Sequence, residues 1–102
     1  MIENVKKISS IRIESEAKCY CPLGQDWYTN HFTIDFEPDQ YFPDYCQVDK
    51  WIDENINGKH MIIEDAVDML HAYLKDTCMP YTCVVTSYVN DAKHSTVTVT
   101  KK

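Results

Sequence analysis

The sequence predicts an α+β layer, a four-stranded antiparallel sheet with two helices on one face in the order ββααββ. Three observations predict it. Apolar and polar residues alternate in two runs near the N-terminus and two near the C-terminus. Between those pairs the apolar spacing changes to three and four residues. Prolines punctuate the changes of period.

From Ile11 the odd positions Ile11, Ile13, Ser15, Ala17, Cys19 and Cys21 alternate with Arg12, Glu14, Glu16 and Lys18, the period of a half-buried strand. Pro22 ends this run, because proline has no N–H to give a sheet. Phe32, Ile34 and Phe36 then face away from His31, Thr33, Asp35 and Glu37, and Pro38 closes the second strand. The two strands pair as a hairpin whose connection holds Gly24, Gln25 and Asp26. Tyr45, Val48, Ile52 and Ile56 form a helical stripe that Asn57-Gly58 breaks. Ile63, Ala66, Val67, Leu70 and Leu74 form a cleaner one, with Glu64 and Asp65 at the positive end of the helix dipole and Pro80 as its stop. Cys83, Val85 and Val89 alternate with Val84, Thr86 and Tyr88; Asn90-Asp91 supplies a turn, and Ser95 to Thr100 is the last strand.

The 102 residues suffice for one domain spanning 1–102, with no repeat, linker or low-complexity tract. A net charge of −6 argues against a surface that tracks phosphates, so no direct nucleic-acid binding is expected. No stretch reaches the ~18 apolar residues of a membrane span, and Met1 to Lys7 lacks the apolar core of a signal peptide. A cytoplasmic protein is expected. Five cysteines without a CxxC pair fit reduced thiols. The two glycines, Gly24 and Gly58, make no phosphate loop, and no zinc-ligand spacing is present, so no metal is expected.

Three residues carry candidate chemistry, each with a plainer alternative. Cys21 ends the first strand at a glycine-containing loop, where a thiol is reachable as a nucleophile; composition alone favours a small buried residue. Asp26 lies in the connecting loop, within reach of that thiol if the loop folds back, where a carboxylic acid can deliver a proton to a substrate nitrogen; the plainer alternative is that it makes a turn. Glu64 opens the second helix, where its carboxylate can accept two parallel hydrogen bonds from a guanine-like edge, or serve only the dipole. Cys19 is read as core.

The segment "CPLGQDWYTNHFTIDFEP" resembles the cysteine segment of the QueF family, the 7-cyano-7-deazaguanine nitrile reductases: Cys21-Pro22, the polar loop Gly24-Gln25-Asp26, and Phe36-Glu37-Pro38. "IIEDAVDMLHAYLKDTCMPYTCVVTSY" resembles the family's second helix and third strand, closest to the short archaeal-type QueF-like branch. The resemblance implies a tunnelling fold, with Cys21 as the nucleophile that forms a thioimide and Glu64 as the anchor of the deazaguanine edge. Where the family carries its acid this chain has Tyr28, leaving Asp26 as the nearest carboxylate. Where the family has a histidine before the glutamate stands Ile63, with His60 a few residues earlier. "PDYCQVDK" and "NDAKH" replace the basic and glycine-rich elements of NADPH-dependent reductases. The resemblance thus implies an enzyme that converts the nitrile to an amidine with ammonia or an amine and needs no cofactor. The alternatives are the NADPH-dependent reductase, giving the aminomethyl product, and a non-catalytic purine- or pterin-binding protein. The same resemblance implies a homo-oligomer, pentamer or decamer, with the sheets closed into a barrel and Tyr28, His31 or His94 of adjacent chains completing the pocket.

Overall fold

The structure is a computed structural model that describes residues 1–102. Its main sheet has the order β2-β3-β5-β6, built from β2 (Ile11–Cys21), β3 (Asp26–Glu37), β5 (Thr82–Val89) and β6 (Val97–Lys101), all antiparallel. Helices α1 (Tyr45–Asn55) and α2 (Ile63–Cys78) connect β3 to β5. A two-residue pair, β1 (Ile2–Glu3) with β4 (Tyr41–Phe42), ties the N-terminus beside the end of β3. Strands this short carry no readable period, so sequence patterning misses them.

The hairpin is longer than its alternation indicates. β3 begins at Asp26 and pairs with β2 without a break, from Cys21↔Asp26 to Ile11↔Phe36. Asp26 is therefore the first residue of a strand and not part of the connection. Pro22 to Gln25 alone make the turn, with the Gln25 N–H bonded to the Cys21 carbonyl at 2.8 Å and Gln25 itself at φ 54°. Tyr28, Asn30, Phe32, Ile34 and Phe36 of β3 face the helices and are buried. Asn30 breaks the apolar run without being orphaned: it accepts from Ser87 Oγ at 2.8 Å and donates to the Ala17 carbonyl at 3.3 Å.

The core lies between one sheet face and the two helical stripes. Val48, Ile52 and Ile56 from the first helical segment and Ala66, Val67, Leu70 and Leu74 from α2 pack against Phe32, Ile34, Val85 and Val89. Helix α1 is capped by Asp44, the residue before it, whose carboxylate accepts the Cys46 N–H at 2.9 Å. Helix α2 ends at Cys78, and the following Met79, just before Pro80, adopts φ 45° and bonds its N–H to the Lys75 carbonyl. β6 starts at Val97, two residues later than its alternation suggests.

The connection between the helices is fastened to the outer edge of β2. Gly58 donates to the Lys18 carbonyl at 2.7 Å, Tyr20 donates to the Lys59 carbonyl at 2.9 Å, and Met61 donates to the Tyr20 carbonyl at 3.0 Å. Asn57 Oδ1 accepts the Lys18 N–H at 3.0 Å. Gly58 enters this seam at φ 78°, and a methyl group there meets nothing within 4 Å. The Gly58→Ala variant therefore carries only the backbone cost of the left-handed region, about 1–2 kcal/mol. We expect its urea midpoint to fall by the corresponding amount with an unchanged slope; an unchanged midpoint contradicts the role given to this turn.

Candidate functional site

Cys21, Asp26 and Glu64 line one cavity of about 430 Å³, inside the range of small-molecule sites. Cross-strand partners in an antiparallel pair project from the same face. The Cys21↔Asp26 pairing therefore places thiol and carboxylate side by side at the tip of the hairpin. Tyr28 stands opposite Cys19, one inward-facing pair deeper, and also lines the cavity. Asp26 and Tyr28 thus share a face, and a shift of two residues exchanges one for the other without inverting the strand.

The two cysteines of β2 have different fates. Cys19 is fully buried, donates to the Ile56 carbonyl at 3.3 Å and receives Asn30 Nδ2 at 3.5 Å. Burial pushes its thiol above the usual range and keeps it protonated. Cys83 is likewise pushed up to about 11 by burial. Cys21 is only half-buried, and its Sγ lies 3.4 Å from the Gly24 N–H, a contact that solvates charge developing on sulfur. A Cβ at residue 24 would sit 3.9 Å from that sulfur, so glycine here is not demanded by space.

Glu64 reaches the cavity because the seam on β2 carries the start of α2 to the hairpin tip. Ile62 and Ile63 line the cavity beside it, and no side chain caps this helix. The unpaired N–H groups and the dipole make this end positive. Tyr28 Oη donates to the Met61 carbonyl at 2.6 Å, bracing the same segment. Burial raises the Tyr28 phenol well above its ordinary range, so it acts as a neutral donor.

The far wall is the turn between β5 and β6, from which Ala92, Lys93, His94 and Ser95 line the cavity. Lys93 Nζ lies 3.9 Å from Asp26 Oδ2, while Asp26 Oδ1 accepts the Trp27 N–H at 2.9 Å. The turn is held to β3 by Asp91, which accepts the Thr29 N–H at 2.9 Å. Patterning reads Asn90-Asp91 as a turn and carries no signal that its flank folds over the start of β3. Tyr28 and His94 both line the chain's own cavity. His31 and His60 do not. His31 faces the helix-free side of the sheet, 3.4 Å from Glu16, and the His60 ring packs 4.8 Å from that of Tyr20.

Another cavity, lined by residues such as Ile2, Pro43 and Tyr73, holds no thiol. No helix is long and apolar enough to cross a membrane.

No family model and no curated protein matches this sequence. Among solved structures, the chain is similar to the crystal structure of the archaeosine synthase QueF-Like in the apo form. The TM-score is 0.81 at 17% sequence identity, over 92% of each chain. The likeness is one of fold, and the architecture of the chain is the QueF-like tunnelling fold.

The Asp91 carboxylate that holds the cavity turn lies below its usual range, chiefly because of its hydrogen bond with Thr29. A lowered carboxylate contributes stability that is present above its unfolded value, near pH 4, and is lost as pH falls through its folded value. The Asp91→Asn variant keeps an acceptor oxygen and loses the charge. We expect the wild-type advantage over it in thermal melts to be present near neutral pH and to shrink as pH falls below about 4; a constant difference contradicts the assignment.

Proposed function

We propose that this chain, which has the QueF-like tunnelling fold, is an enzyme of 7-deazaguanine metabolism that converts the nitrile of 7-cyano-7-deazaguanine to an amidine. The observation that carries the reading is the single cavity shared by the Cys21 thiol, the Asp26 carboxylate and the Glu64 carboxylate. In the first half of the reaction the Cys21 sulfur forms a bond to the nitrile carbon. One π pair of the nitrile moves to nitrogen, and Asp26 carries the thiol proton to it. In the second half ammonia or another amine adds to the thioimide carbon, and the carbon–sulfur bond breaks with its electron pair returning to Cys21. No electrons are gained or lost overall, so the route needs no dinucleotide.

Glu64 holds the base by accepting parallel hydrogen bonds from its ring N–H and exocyclic amine. The positive end of α2 supports a carboxylate in that role. Lys93 Nζ, 3.9 Å from Asp26 Oδ2, sets a positive charge beside the carboxylate that relays the proton. A charge of −6 and the absence of the basic and glycine-rich reductase elements favour the amidine route over NADPH-dependent reduction. The free parts of the sheet edges, at the start of β2 and along β6, are where copies of the chain join into the homo-oligomer this fold implies.

The test is intact-mass spectrometry after incubation with 7-cyano-7-deazaguanine. The wild type is expected to gain the mass of the whole substrate and Cys21→Ala to gain nothing. Wild type without an adduct leaves a purine-binding protein as the better account. Consumption of NADPH with formation of the aminomethyl product overturns the amidine route.

Loss of a hydrogen bond to a charged group costs about 1.5–3 kcal/mol, or roughly 10- to 100-fold. We therefore expect Glu64→Gln to lower kcat/KM by that factor. Unchanged kinetics remove Glu64 from the site.

A further inference from the structure

We propose that His94 is the base that frees the attacking amine in the second half of the reaction, an inference that rests on the thioimide reading above. Simple amines are protonated at neutral pH, as the ~10.4 of a lysine ammonium illustrates. A protonated amine has no lone pair to attack with, so the cavity needs a group that accepts its proton. Asp26 already accepts from Trp27 and faces Lys93, and Glu64 is committed to the base edge.

Of the four histidines, His94 alone lines the cavity. His31 is beside Glu16, His60 packs on Tyr20, and His71 is buried with Nε2 3.1 Å from the Cys83 carbonyl. His94 Nδ1 lies 2.7 Å from the Ser95 carbonyl oxygen. A carbonyl oxygen only accepts, so Nδ1 carries the hydrogen. In the neutral ring Nε2 therefore keeps its lone pair. The ring belongs to a turn tied to β3 by the Asp91–Thr29 bond, with Lys93 Nζ 3.9 Å from Asp26 Oδ2, and it lines the cavity that Cys21 and Glu64 also line.

His94 Nε2 takes one proton from ammonium. The released lone pair bonds to the thioimide carbon, and the carbon–nitrogen π pair moves onto the imide nitrogen. A proton passes from the added nitrogen to that one. When the carbon–sulfur bond breaks, its pair leaves with sulfur, and the His94 imidazolium returns its proton there. One thioimide and one ammonium become one amidinium and one thiol, with no change of oxidation state.

The experiment separates the two halves. Wild type and His94→Gln are each loaded with 7-cyano-7-deazaguanine without amine, and the adduct is followed by intact mass. Ammonium is then added from about pH 6 to about pH 10, and the rate of adduct loss is measured. Both proteins are expected to form the adduct, which also shows that the variant folds. Near pH 7 the variant is expected to lose its adduct about 100-fold more slowly. The gap should narrow as free ammonia becomes abundant at high pH. Cys21, Asp26, Glu64, Tyr28 and Lys93 face the same cavity in both proteins, so the pH dependence is read from the ratio of the two rates. Equal rates at every pH overturn the proposal, and so does a gap that does not change with pH. A wild type that forms no adduct overturns the thioimide reading and this inference with it.

Discussion

The fastening of residues 57–61 to the outer edge of β2 is the contact on which the site depends. Its hydrogen bonds, between Lys18 and Tyr20 on one side and Asn57 to Met61 on the other, finish the pairing of β2 just before Cys21. They also fix where α2 begins. Without them the helix could slide along its hydrophobic contacts with β5, because apolar burial is not directional. Directional hydrogen bonds to a strand edge stop that movement. The Tyr28 hydroxyl adds a bond from the neighbouring strand to Met61. The start of α2 is thereby set beside the hairpin tip to within the tolerance of a hydrogen bond.

The second constraint is the pleat of the hairpin. Cys19 and Cys21 share a face, yet one is sealed under the helices and the other lies at the cavity. The difference is two residues along the strand, one repeat of the pleat. Burial makes Cys19 a protonated, hydrogen-bonded core residue, while Cys21 has a backbone N–H directed at its sulfur and open volume beside it. The four-residue turn from Pro22 to Gln25 determines which residue of β3 stands opposite the thiol, and in this chain it is Asp26.

The third element is the turn after β5, which brings opposite charges to the cavity of an acidic protein. Lys93 meets Asp26 there and Asp91 satisfies the Thr29 N–H that β5 is too short to reach. The cavity is thus closed by three pieces distant in sequence: a hairpin tip, a helix start and a turn. Each is held by hydrogen bonds from its own backbone or to a neighbouring strand, the form of support that keeps a reactive geometry in place.

Much of the architecture is present in one-dimensional patterns. The alternation from Ile11 to Cys21, the helical stripe from Ile63 to Leu74 and the intervening prolines determine which residues face inward, because a strand repeats every two residues and a helix every ~3.6. Cys21, Asp26 and Glu64 are likewise visible as residues of suitable chemistry at element boundaries. Sequence alone did not determine that β3 starts at Asp26, that Ile2 and Glu3 pair with Tyr41 and Phe42, or that His94 shares the Cys21 cavity while His60 does not. Those outcomes depend on turn length and on hydrogen bonds between segments far apart in the chain. Local periodicity carries no information about either, so the tertiary structure decided them.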